Sequence, residues 1–136
     1  MTSAQTSVST LPRGYELEPA QFSLPPERID AYLLAVGDRN AYGNIVPPLA
    51  VVALALAELQ EQVSLPEGSL HTAQEVEQLR VIKTGEMLTM RGRIAQRSER
   101  QGFVISVIEL DVLAAEGESA VRARTTVLAP GGALGA

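Results

Sequence analysis

The chain has 136 residues, 46% of them hydrophobic and 20% charged, with a formal net charge of −5 and no cysteine. That is one domain's worth of chain with enough apolar residues for a core of its own. It excludes disulfides, thiolate nucleophiles and cysteine-ligated zinc, and an acidic chain argues against nucleic acid as partner.

Met1 to Thr10 is rich in Ser, Thr and Gln and reads as a disordered tail. It has no positive region followed by an apolar core, so no signal peptide is expected. Tyr15–Glu18 and Gln21–Leu24 alternate weakly, as a short edge segment does. Pro25 and Pro26 suit a helix's first turn, with Glu27 at the positive end of its dipole. Ile29, Tyr32, Leu33 and Val36 follow at helical spacing, and Gly37 ends the helix.

A second helix is predicted from Pro47-Pro48 to about Val63. Leu49, Val51, Val52, Ala53, Leu54, Ala55, Leu56, Ala57 and Leu59 cover every face of its first part, which predicts burial all round. The uncharged run from Asn40 to Ala57 contains two prolines, two asparagines and a glycine, so a buried core helix explains it better than a membrane span.

After a turn at Leu65–Gly68, with His71 on the approach, four antiparallel strands are predicted. They are Glu75–Val81, Leu88–Arg97, Phe103–Leu113 and Val121–Leu128, with turns at Lys83–Glu86, Gln101-Gly102 and Glu116-Gly117. Arg91, Arg93, Arg97 and Arg100 lie close together in the sequence, with Glu99 among them, and read as a solvated strand face. Only the second helix is apolar enough to cover the sheet, which predicts an α+β architecture with a curved sheet wrapped around it. The domain is expected over residues 11–130, with a flexible C-terminus at 131–136.

Ala35-Val36-Gly37-Asp38-Arg39-Asn40, running into Pro47-Pro48 and the apolar helix, resembles half of the hydratase motif of the MaoC-like hotdog proteins. There Gly-Asp-x-Asn continues Pro-hydrophobic-His. Here it continues Ala41-Tyr42-Gly43, so Gly43 stands where the histidine would be. The stretches Leu70–Glu75 and Leu79–Leu88, and the charged hairpin Arg97–Gly102, are similar to the N-terminal, non-catalytic half of double-hotdog dehydratases.

The resemblance implies a hotdog fold and acyl thioesters of coenzyme A or acyl carrier protein as ligands. Active members hydrate enoyl thioesters or dehydrate 3-hydroxyacyl thioesters. A carboxylate and an imidazole share the water, and backbone N–H groups at the central helix polarise the carbonyl. It assigns Asp38 the carboxylate role and leaves His71, the only histidine, as candidate base. Asn40, Tyr42, Gly43, Asn44, Val46, Pro48 and Leu49 are the candidate substrate-binding residues.

The plainer readings make Asp38 and Asn40 turn formers, Tyr42 a packing or hydrogen-bonding side chain, and His71 a surface residue. The resemblance leaves open an incomplete-site subunit, a hydratase with a displaced base, and a thioesterase. The last is disfavoured by a helix free of acids from Pro48 to Ala57. No cofactor or metal is expected. The expected setting is cytoplasmic, without membrane insertion, as a homodimer or a heterodimer with a second hotdog subunit.

Overall fold

The computed structural model describes residues 6–40 and 42–131. In chain order the elements are β1 (Thr6–Ser7), a 3-10 turn (Val8–Thr10), β2 (Ala20–Ser23), α1 (Pro26–Val36), β3 (Ile45–Val46) and α2 (Pro48–Gln62). Then come β4 (Val63–Ser64), β5 (Leu70–Gln78), β6 (Ile82–Lys83), β7 (Met87–Arg100), β8 (Phe103–Leu113) and β9 (Ser119–Pro130). The main sheet is antiparallel, in the order β2-β7-β8-β9-β5.

Alternation along β8 and β9 puts one row of side chains under α2. Met90, Ile94, Ile108, Leu110, Val121 and Val127 form one buried cluster with Ala50, Val51, Val52, Ala55 and Leu59 of α2 and Ile29 of α1. Each Met, Ile, Leu and Val among these contributes about 1.5–3 kcal/mol by leaving water. Gly92 marks a close approach, since a Cβ there would lie 2.6 Å from a Leu17 methyl and 2.9 Å from one of Leu110.

The two sheet edges differ. The outer edge of β7 is covered by β2 and by the segment before it, where Gly14 donates to Ile94, Leu17 donates to Gly92, and Ile94 donates to Tyr15. The outer edge of β5 has no strand beside it among the described residues.

Four expectations are corrected. The tail is not disordered up to Thr10. Thr6–Ser7 pairs in parallel with Val63–Ser64, Val8 is fully buried, and Arg97 donates to the Ser9 carbonyl at 2.9 Å. A single apolar side chain reaching the core anchors this otherwise polar segment. Residues 1–5 and 132–136 lie outside the described residues, whereas Gly131 is buried and donates to the Gly102 carbonyl at 2.7 Å.

The second correction concerns α2, which is not buried all round. Leu49 is 61% exposed, Ala57 is exposed, and Ala53, Leu54 and Leu56 are half-buried. One sheet can cover only one side of a helix. Third, β5 starts at Leu70, so His71 sits within a strand, opposite Val127, and not on a turn. Fourth, that strand ends at Gln78, short of Val81, because the N–H groups of Leu79 and Arg80 both turn to the Ala120 carbonyl. No described helix is long and apolar enough to cross a membrane.

Candidate functional site

The candidate site begins where α1 stops. Gly37 takes a left-handed conformation, φ 72°, and its N–H reaches back to Leu33 and Leu34. The Asp38 N–H also donates to Leu33, at 2.9 Å. This closes the helix in a Schellman-type cap and turns the Asp38 side chain across the following loop. There the Asn40 N–H donates to Asp38 Oδ1 at 2.9 Å and the Tyr42 hydroxyl donates to Oδ2 at 2.5 Å.

Both carboxylate oxygens are therefore engaged. The Tyr42 hydrogen bond first, and the Asn40 N–H second, hold Asp38 below its ordinary 3.8. The same bond pushes the Tyr42 phenol above its ordinary 10.0. A general base working near neutral pH needs its pKa raised, so Asp38 is displaced in the wrong direction for that task.

The loop then passes through Gly43 at φ 64°, with nothing within 4 Å of the place a Cβ would occupy. Space is available there, but the backbone is left-handed, which a histidine adopts only under strain. The Asn44 carbonyl accepts from Thr84 at 2.8 Å, and the Ile45 N–H returns to Tyr42 at 3.1 Å. Val46 is buried opposite Ile82. These contacts tie the loop to the turn after β6 and deliver it to α2.

Pro47 and Pro48 open α2 without a side-chain cap. The Pro47 carbonyl accepts from Ala50 and Val51, and the two prolines have no N–H to offer. The Leu49 N–H is left without an acceptor among the described residues, in a first turn whose partial positive charge suits an anion or a polarised carbonyl. Apolar side chains at the end of α1, in β3 and at the start of α2 are exposed: Leu34, at 84% the most exposed, Val36, Ile45 and Leu49. Leu49 is among the candidate residues named from the sequence; sequence reasoning did not single out Leu34 and Ile45. The signal was present: Leu34 and Val36 end α1 with no polar neighbour to explain them.

His71 belongs to a different part of the molecule. Its Nε2 is 3.0 Å from the Ala73 carbonyl. It borders a small cavity of about 60 Å³ with Leu56, Leu59, Val63, Ile108 and Val127. That places it beside the C-terminal half of α2, about 15 Å along the helix from Leu49 at 1.5 Å per residue. No hydrogen bond or shared cavity joins His71 to Asp38 among the described residues.

No family model matches the chain, and no curated protein matches its sequence. Solved structures do match. The unliganded (R)-hydratase PhaJ1 from Pseudomonas aeruginosa superposes with a TM-score of 0.75 over 93% of this chain and 87% of its own, at 16% identity. A C-terminally truncated HadBC (3R-hydroxyacyl-ACP dehydratase) complex from Mycobacterium tuberculosis gives 0.69 over 89% and 99%, at 22% identity. A hypothetical thioesterase with coenzyme A from Streptococcus pneumoniae gives 0.62 over 88% and 81%, at 13% identity. The chain thus has the hotdog fold, the architecture of MaoC-like dehydratases and (R)-hydratases.

Proposed function

We propose that this chain is a MaoC-like protein that binds acyl thioesters of coenzyme A or acyl carrier protein, and that it is the incomplete-site subunit of a hotdog pair. The observation that carries this reading is the state of Asp38. Its two oxygens are taken by Asn40 and Tyr42, its pKa is lowered, and the position of the family's histidine is a left-handed glycine. A carboxylate in that condition organises a loop and does not draw a proton from water.

The Leu49 N–H at the start of α2, without an acceptor among the described residues, remains suited to a thioester carbonyl, and Leu34, Val36, Ile45 and Leu49 to an acyl chain or a subunit surface. The open edge of β5 offers unpaired backbone groups along a nine-residue strand, and a second hotdog subunit that extended the sheet would satisfy them. The HadBC likeness supports a heteromeric arrangement of this kind.

The test is hydration of crotonyl-CoA. The isolated chain is expected to bind the thioester without turnover, and coexpression with a hotdog subunit carrying the full Gly-Asp-x-Asn-Pro-x-His motif is expected to yield an active complex. Enzymatic turnover by the isolated chain, abolished by Asp38→Ala, would sink the proposal.

A further inference from the structure

The outer face of the sheet carries a charge pattern that the thioester site does not use. Val76, Ala123, Leu110 and Gly92 stand side by side across β5, β9, β8 and β7. Leu110 and Ala123 are buried, and a Cβ on Gly92 would meet Leu17 and Leu110, so this row points into the core. The rows on either side of it point outward.

One outward row reads Glu75, Arg124, Glu109, Arg93, and the other reads Glu77, Arg122, Asp111, Arg91. Each strand thus presents a single sign, and the sign alternates from strand to strand. Between the rows runs an open groove of about 620 Å³.

The grid is only partly satisfied within the chain. Arg93 meets Glu109 at 2.7 Å, while Arg124 is 3.8 Å from Glu109 and Arg122 is 3.9 Å from Glu77. Arg91 forms no ion pair among the described residues. Asp111 accepts from Ser119 through Oδ2 at 3.1 Å, and its buried Oδ1 has no partner.

Alternating stripes about 4.8 Å apart are complementary to themselves after a shift of one strand. We infer that this face docks a second copy of the chain, outer face to outer face, about a two-fold axis that runs along the strands between β8 and β9. That axis sets Glu109 and Asp111 over Arg124 and Arg122 of the second copy, and Arg93 and Arg91 over its Glu75 and Glu77. A two-fold axis in the sheet plane running across the strands would set each stripe on itself, like charge on like, so the pattern selects one orientation. The contact is isologous and closes at two copies. It leaves the backbone edge of β5 and the Asp38 loop untouched, so it stands or falls independently of the thioester reading.

The experiment is analytical ultracentrifugation of the full chain at 0.05 M and 1 M NaCl, because the Debye length falls from over 10 Å to about 3 Å across that range. The number of copies of this chain per particle is expected to halve at high salt. R122E/R124E is expected to halve it at low salt, and mixing that variant with E109R/D111R is expected to restore it. R91E breaks no ion pair among the described residues, so it tests the face even if the double variants fold poorly. It is expected to weaken the association at least tenfold while the circular dichroism spectrum stays unchanged. A particle mass unaffected by salt and by R91E in folded protein would overturn the inference.

Discussion

The two ends of α2 hold the two residues a hydratase would need, and they are built for different purposes. At the N-terminal end the polar groups are engaged: Asn40 and Tyr42 each donate to one oxygen of Asp38, and the Asn44 carbonyl accepts from Thr84. The apolar side chains there, Leu34 and Leu49, face outward. At the C-terminal end the assignment is reversed. Leu59 and Val63 are buried against Ile108 and Val127, and the one imidazole stands on an exposed edge strand. A carboxylate and a histidine in the same chain therefore do not make a dyad. What decides is whether the backbone brings them to one water, and among the described residues no hydrogen bond or shared cavity joins them.

The largest expected effect contrasts two leucines on the same helix. Leu59 is 5% exposed and Leu49 is 61% exposed. Leu59→Ala should cost about 2–5 kcal/mol of unfolding free energy, whereas Leu49→Ala should stay within about 0.5 kcal/mol in the isolated chain. Urea denaturation of both variants measures this. Equal losses would mean that the N-terminal end is as buried in solution as the C-terminal end. If Leu49 meets a thioester or a second subunit, its substitution should weaken that binding while stability stays the same.

Next is Gly43→His, which restores the family's residue but not its geometry. The left-handed backbone should cost about 1–2 kcal/mol, and the variant should gain no hydration of crotonyl-CoA. Activity appearing in Gly43→His alone would show that the missing imidazole was the only defect, and that Asp38 is not too committed to act.

Tyr42→Phe tests that commitment directly. Asp38 is lowered in the folded state, so it binds fewer protons there than in the unfolded chain. Its stabilising contribution is present above its unfolded value near 3.8 and is lost as pH falls through its folded value. Tyr42 is raised, so its contribution is present below about 10.0 and is lost as pH rises through its folded value. The pair thus supports the loop across the neutral range and fails at both extremes. In Tyr42→Phe the Asp38 carboxyl should titrate upward, toward 3.8, in a carbon-13 NMR titration. An unmoved titration would mean that the phenol is not its main partner.

Much of this was legible in the residues, and the failures share a cause. Pro26 and Gly37 bound α1, and the strand Phe103–Leu113 has its predicted limits, because prolines, glycines and alternation act locally. Gly37-Asp38-Arg39-Asn40 forms a turn as its composition implies. The missed features depend on distant partners. Val8 looked like part of a polar tail because its pocket is assembled from elsewhere in the chain. Residues 70–78 lack alternation because an edge strand exposed on both faces has no apolar side to keep, and β9 alone makes them a strand. The charge grid was visible as Glu75/Glu77, Arg91/Arg93, Glu109/Asp111 and Arg122/Arg124, each a like-charged pair two residues apart. Its alternation emerges only once the strand order is known.

The smallest expected effect belongs to His71, and it separates the readings most cleanly. His71 is exposed, and its hydrogen-bond partner among the described residues is the Ala73 carbonyl, beside a register shift in β5. His71→Ala should change stability by no more than about 0.5 kcal/mol. If the functional end of α2 is the N-terminal one, it should leave thioester binding, measured by calorimetry with crotonyl-CoA, where it was. A displaced-base hydratase predicts the same stability and binding and differs in turnover alone, which should fall by two orders of magnitude or more when a general base is removed. Such a loss would require His71 to reach a water held by Asp38, and since no hydrogen bond or shared cavity joins the two among the described residues, a second copy would be its source.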